Sequence, residues 1–166
     1  MILLKTKYGV DGDANKIRQV YKGNNCYIKE RLWGDYYWYN KHIKIVNTVN
    51  PGYYINTMYS HSRMTFVIKE VPGVNAKTLG INPKFVKNLV NFVHSNIEET
   101  GPFGHGDWAL ENIMVNGNDM QMIDWDTCDV MSKEEKLKKA YQKLSRDYQR
   151  KGLRSFDSIW RECNER

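Results

Sequence analysis

Between His105 and Asp126 the chain reads HGDWALENIMVNGNDMQMIDWD, and Asp107, Asn112 and Asp124 are spaced so that they could share one site. Two apolar runs, Ile113–Val115 and Met120–Ile123, flank the turn formers Asn116-Gly117-Asn118-Asp119. That pattern predicts two short strands joined by a hairpin turn. A hairpin returns the chain on itself, so a carboxylate before it, an amide beside its first strand and a carboxylate after it converge. Such a group is costly unless a cation sits among its members, and hard oxygen donors suit a divalent metal with bound phosphate. Asp107, on the loop before the hairpin, is the candidate catalytic carboxylate. Asn112 and Asp124 are the candidate metal ligands, with Asp126 as an accessory acid. His105 and Gly106 are expected to shape the loop rather than to move protons.

Phosphoryl transfer is the chemistry that uses such a set. It requires clamped phosphate charge, one or two metal ions, and a carboxylate that orients the attacking hydroxyl and accepts its proton. The elements that would position the nucleotide lie upstream. Ile2–Tyr8, Lys16–Tyr21 and Cys26–Lys29 read as strands, with turns at Gly9–Asp13 and Lys22–Asn25. Gly9 and Gly12 are candidates for close backbone approach to phosphates, since glycine carries no side chain. Lys29 ends the third predicted strand, directly after the second of these turns. Gly34–Val49 has helical periodicity, with Asp35 as an acceptable N-cap. Strands are expected at Tyr53–Tyr59 and Arg63–Lys69. The second runs into FVIKEVPG, where Pro72-Gly73 redirects the chain and Lys69 C=O and Val71 N–H could meet an adenine edge.

Downstream, Asn82-Pro83 opens a helix whose apolar stripe is Phe85, Leu89, Phe92, Val93 and Ile97. After Asp126 a second amphipathic helix carries Leu137, Ala140, Tyr141 and Leu144 and ends at Gly152. A short last helix follows at Phe156, Ile159 and Trp160. The formal net charge is +6, and the segment Met131–Arg166 holds 11 Lys and Arg against 6 Asp and Glu. Such a segment is either a solvated helix face or a contact for a protein or RNA partner. Three cysteines without paired spacing and no stretch of membrane-spanning length lead us to expect a cytoplasmic, reduced protein with no membrane partner.

Taken together, Gly9 and Gly12, Lys29, FVIKEVPG, HGDWALEN and IDWD resemble the protein-kinase-like fold superfamily, nearer its aminoglycoside phosphotransferase and choline kinase branch, in an unusually short form. The resemblance implies an α+β, two-lobed fold: an antiparallel N-lobe over residues 1–71 and a reduced, mainly helical C-lobe over 72–166. It implies ATP and Mg²⁺ as cofactors. It gives Lys29 to the phosphates, the backbones of Lys69 and Val71 to adenine, Asp107 to catalysis, and Asn112 and Asp124 to the metal. The implied activity is transfer of the γ-phosphate to a hydroxyl acceptor, a small molecule being the first expectation. Two alternatives are a compact Rio-like protein kinase and a nucleotide-binding pseudokinase or interaction protein. The chain departs from the pattern in four respects. Its glycine loop is sparse, the acid expected to pair with Lys29 has Asp35 as its one candidate in Gly34–Val49, Ala109 stands where protein kinases place a lysine two residues after the catalytic Asp, and only Thr127–Arg166 follows IDWD. With so little chain there, the acceptor is expected to be small, to dock on an open face, or to come from a partner or second subunit.

Overall fold

The structure, a computed structural model, describes residues 1–7, 18–32 and 35–164. It is α+β, with a five-stranded antiparallel sheet and four helices among these residues. By its internal contacts the chain divides into two units, Met1–Glu70 and Val71–Arg166.

In the first unit, β1 (Ile2–Lys7), β2 (Arg18–Lys22), β3 (Cys26–Leu32), β4 (Tyr54–Ser60) and β5 (Arg63–Lys69) form a sheet in the order β1-β2-β3-β5-β4. The helix α1 (Tyr36–Val49) lies between β3 and β4 in the chain. Its Tyr39 packs with Met64 and Phe66 of β5, and Trp38, Tyr54, Tyr59 and Ile68 surround that cluster. Aromatic and β-branched residues fill this half-buried pleated surface, as strands favour.

The third strand extends three residues beyond the stretch its apolar character suggested, and this moves Lys29 from a strand end to a strand centre. Lys29 faces Val20 on β2 and Phe66 on β5. The polar residues that follow stay in the strand because the pleat gives each a partner on its own face. Glu30 pairs with Arg63 at 3.2 Å, and the Arg31 guanidinium lies 4.1 Å from the Trp38 ring centre.

The second unit begins with β6 (Val74–Asn75) and a single 3-10 turn at Ala76–Thr78. The helix α2 (Pro83–Glu99) starts as its sequence dictates, with the Asn82 side chain accepting from Lys84 N–H and Pro83 in the first position. Its buried face is Val86, Leu89, Val90, Val93 and Ile97, whereas Phe85 and Phe92 are half-buried. The apolar stripe is therefore rotated toward the valines, which a three-and-four-residue spacing alone does not resolve.

Then follow β7 (Phe103–Gly104), the hairpin β8 (Ile113–Asn116) and β9 (Asp119–Met122), β10 (Asp129–Val130), α3 (Lys133–Arg150) and α4 (Phe156–Asn164). The hairpin turn is the two residues Gly117-Asn118, and Gly117 has φ +61°, the left-handed value a tight hairpin needs at its first central position. Tyr148 of α3 stacks on Phe156 of α4 with ring centres 5.2 Å apart.

One buried residue of α3 is not apolar. Lys136, 1% exposed, donates from Nζ to the carbonyls of Ile97 (2.7 Å), Gly101 (2.6 Å) and Phe103 (3.2 Å) and to the Thr100 hydroxyl (3.3 Å). It closes the C-terminus of α2, where unsatisfied carbonyls carry the negative end of the helix dipole. No helix among the described residues is long and apolar enough to cross a membrane.

Candidate functional site

Two antiparallel pairings bracket the stretch from His105 to Cys128. At its outer ends β7 pairs with β10, Gly104 opposite Asp129 and Phe103 opposite Val130. Inside it β8 pairs with β9, Ile113 opposite Met122. The loop before the hairpin and the turn after it are thus held at both ends.

Between these pairings His105 works as a staple. It is 1% exposed and sits at 4.7 Å from the Trp125 ring in an edge-on contact. Its Nε2 lies 2.7 Å from Ile123 O, and its Nδ1 lies 3.4 Å from the Asp107 N–H. A backbone N–H can only donate, so Nδ1 is the acceptor and Nε2 carries the proton. Burial pushes the imidazole below its ordinary value, while the Ile123 carbonyl and the Asp124 and Asp107 carboxylates pull the other way. With both nitrogens committed, His105 is a neutral positioning residue.

Gly106 makes the close approach possible. It has φ +83°, and a Cβ there would stand 2.3 Å from Thr127 O. Thr127 in turn donates its hydroxyl to His105 O at 2.8 Å. The loop therefore lies directly on the turn Trp125–Thr127, and Trp108, also 1% exposed, anchors it from within.

The three candidate polar residues are joined through this scaffold. Asn112, 6% exposed, donates from Nδ2 to Asp107 O at 3.1 Å, and its own carbonyl accepts from Ile123 N–H at 2.8 Å. Its amide nitrogen is committed, so its side-chain oxygen is the atom left to act as a ligand. Asp124, the next residue along, has φ +60° and ψ +60°, a left-handed conformation that Asp and Asn adopt more readily than other side-chain-bearing residues. One amide oxygen and one carboxylate make a hard donor set that leaves coordination positions for phosphate and water, which fits Mg²⁺. Among the described residues there is no cluster of three or more His, Cys, Asp or Glu side chains that would make an all-protein metal cage. Asp126 lies half-buried in the 3-10 turn beside Asp124.

Asp107 is half-exposed and has a neighbour that local sequence did not announce. Lys143 Nζ, from the middle of α3, lies 3.5 Å from its Oδ1. The chain has alanine two residues after Asp107, and a lysine from a distant helix reaches the carboxylate instead. The one available signal was the charged face Lys143, Asp147, Arg150 on α3, at spacings of four and three. Asp147 fixes that face against the loop, its Oδ2 accepting from Leu110 N–H at 3.1 Å.

In the first unit Lys29 is buried on the sheet face that carries Phe66 and Arg31, the face toward α1. The helix contains no Asp or Glu. Asp35 precedes it, and its Oδ1 accepts from Tyr37 N–H at 2.8 Å, so of its two expected roles the N-cap is the one with a bond. Lys69 closes β5, with its N–H on Tyr53 O at 3.0 Å, and Val71 opens the second unit half-buried. Gly9 and Gly12 lie outside the described residues.

No family model matches the sequence, and no curated protein matches it. Solved structures do match. The crystal structure of monomeric WbdD superposes with a TM-score of 0.61 at 11% sequence identity, covering 90% of this chain and 45% of WbdD. The chain thus spans less than half the length of that structure. At this identity the likeness is one of fold.

Proposed function

We propose that the protein is an ATP- and Mg²⁺-dependent phosphotransferase that moves the γ-phosphate to a hydroxyl of a small molecule. The observation that carries this reading is the bonded chain from Asp107 through Asn112 to Ile123, next to Asp124. It places a half-exposed carboxylate and two hard oxygen donors on one braced loop and hairpin. The likeness to WbdD is one of fold and supports the two-unit α+β architecture in which this loop and hairpin sit.

In this reading Asp107 accepts the proton of the acceptor hydroxyl as its oxygen bonds to the γ-phosphorus. The bond from that phosphorus to the bridging oxygen of ADP breaks, and ADP leaves with the electron pair. Asn112 Oδ1 and the Asp124 carboxylate would hold Mg²⁺, which would supply positive charge to the phosphate oxygens. Lys29 is the cation assigned to the α/β-phosphates, and the backbones of Lys69 and Val71 are assigned to the adenine. The Lys143 ammonium stands 3.5 Å from Asp107 Oδ1 and helps hold that carboxylate in place beside the loop.

The test is thermal denaturation with ATP alone and with ATP plus Mg²⁺, for the wild type and Asp124→Asn. Asparagine tolerates the left-handed backbone, so the variant removes charge without adding strain. A ligand at a hundred times its Kd stabilises by about 2.7 kcal/mol, a shift of roughly 5–10 °C for a chain of this size. The wild type should show a Mg²⁺-dependent shift that the variant loses. The absence of any shift at millimolar nucleotide would end this reading. Asp107→Asn should keep the thermal shift and lower transfer on the order of 10²–10⁴-fold.

A second reading is favoured by one specific observation, the absence of any carboxylate on α1. It is a protein that binds nucleotide without turnover. A thermal shift with no phosphate transfer to any acceptor would select it.

A further inference from the structure

Beside the Asp107 loop the second unit has a cavity of about 220 Å³, with the loop after Asp107 as one wall. Four cations line it, Lys77, Lys143, Arg150 and Lys151, against two carboxylates, Glu111 and Asp147. Most of these charges already have partners. Lys77 pairs with Glu111 at 2.8 Å. Lys151 Nζ donates to the carbonyls of Lys77 at 2.6 Å and Leu79 at 2.5 Å. Asp147 is held by the Leu110 N–H. These bonds build the walls, and they leave two cations facing the space. Lys143 is shared with Asp107, and Arg150 has no partner among the described residues.

We propose that this cavity holds a phosphate group belonging to the acceptor, and therefore that the acceptor is a phosphate monoester of a small polyhydroxy compound. The proposal rests on the phosphotransferase reading and deepens it. Lys143 and Arg150 are seven residues apart on one helix face, about 10 Å along the axis. The Arg150 side chain covers part of that distance and a short polyol the rest, with its phosphate on the Arg150 fork and its free hydroxyl at Asp107. Lys143, between the two, carries charge to both ends. The reaction conserves the acceptor's own phosphate. Its hydroxyl oxygen gains the γ-phosphoryl group, its proton goes to Asp107, and ADP departs. A cationic amino alcohol would meet unmatched positive charge here, so the acceptors typical of the aminoglycoside and choline kinase branch do not suit this surface.

Inorganic phosphate is the probe, titrated into the full chain without nucleotide and followed by calorimetry. Saturable binding is expected. Arg150→Gln should weaken it on the order of tenfold or more, the effect of one lost charge-assisted hydrogen bond. Lys138→Gln removes the same charge from the opposite face of α3 and should leave binding unchanged. Asp124→Asn should also leave it unchanged, which separates this anion from the nucleotide. Lack of saturable binding, or an equal loss in Lys138→Gln, overturns the proposal, because only a diffuse positive field would remain.

Turnover divides the two claims. With ATP and Mg²⁺, glycerol 3-phosphate should be a better acceptor than glycerol, and Arg150→Gln should raise KM for the first alone. If both alcohols are phosphorylated equally and Arg150→Gln changes neither, the acceptor assignment fails while the phosphotransferase stands. If phosphate binds through Arg150 but ATP and Mg²⁺ never stabilise the protein, the anion site stands and the phosphotransferase reading fails.

Discussion

Gly106→Ala probes the whole site through one methyl group. At φ +83° an alanine bears backbone strain of about 1–2 kcal/mol. Its Cβ would also stand 2.3 Å from Thr127 O and 3.0 Å from Thr127 Oγ1. The nearest atom is backbone, which cannot swing aside as a flexible side chain can. The loop and the turn must part, stretching the 2.8 Å bond from Thr127 to His105 O. Overpacking of this kind costs a further 1–3 kcal/mol or so. The sum, about 2–5 kcal/mol, corresponds to a fall in Tm on the order of 10 °C. Gly152→Ala supplies the control within the same unit. Its φ is +84°, and nothing lies within 4 Å of its would-be Cβ, so it carries the backbone strain alone. Circular dichroism melts of the two variants should therefore differ by about 1–3 kcal/mol. The ATP and Mg²⁺ response should be lost in Gly106→Ala and kept in Gly152→Ala. Equal melting temperatures would refute the claim that the loop rests on the Thr127 carbonyl.

Lys136→Met keeps the length of the side chain but removes the ammonium that the carbonyls of Ile97, Gly101 and Phe103 share. The desolvation that methionine relieves offsets part of the loss, and a net destabilisation of about 2–4 kcal/mol is expected in thermal or urea unfolding. Asp35→Ala should cost about 1 kcal/mol through the lost cap, and it should leave the ATP and Mg²⁺ shift intact; a lost shift would make Asp35 a site residue. His94 packs against Trp160 with ring centres 5.0 Å apart, and burial, aided by the Lys133 charge, lowers it from the ordinary 6.5. Between the lowered folded value and 6.5 the unfolded chain binds more protons, so stability falls as pH drops through 6.5. His94→Phe keeps the ring contact without the titration, and its unfolding free energy should lose less than the wild type's between about pH 7 and about pH 5.5.

The local elements of this protein were legible because each depends on near neighbours in the chain. Asn82-Pro83 starts a helix, Gly117-Asn118 turns a hairpin, and β5 spans Arg63–Lys69 as its apolar and β-branched residues indicate. In the site, the grouping of Asp107, Asn112 and Asp124 about one hairpin follows from spacing, since a two-residue turn leaves its flanking strands little choice of partner. The aromatic residues under the loop, Trp108 and Trp125, gave no such sign, because a buried tryptophan and an exposed one look alike in a sequence.

Where contacts join distant parts of the chain, sequence had less to offer. Lys29 reads as a strand end until Glu30 and Arg31 are seen with Arg63 and Trp38, partners supplied by another strand and a helix. Lys136 reads as one more solvated lysine until four oxygens from residues 97–103 surround it. Lys143 is separated from Asp107 by 36 positions in the sequence and by 3.5 Å in space. The residue types and local spacing of the HGDWALEN and IDWD stretches determined which groups could do chemistry. Tertiary packing alone decided which charge faces Asp107 and which cations line the neighbouring cavity, because helix α3 reaches that loop only through the folding of the second unit.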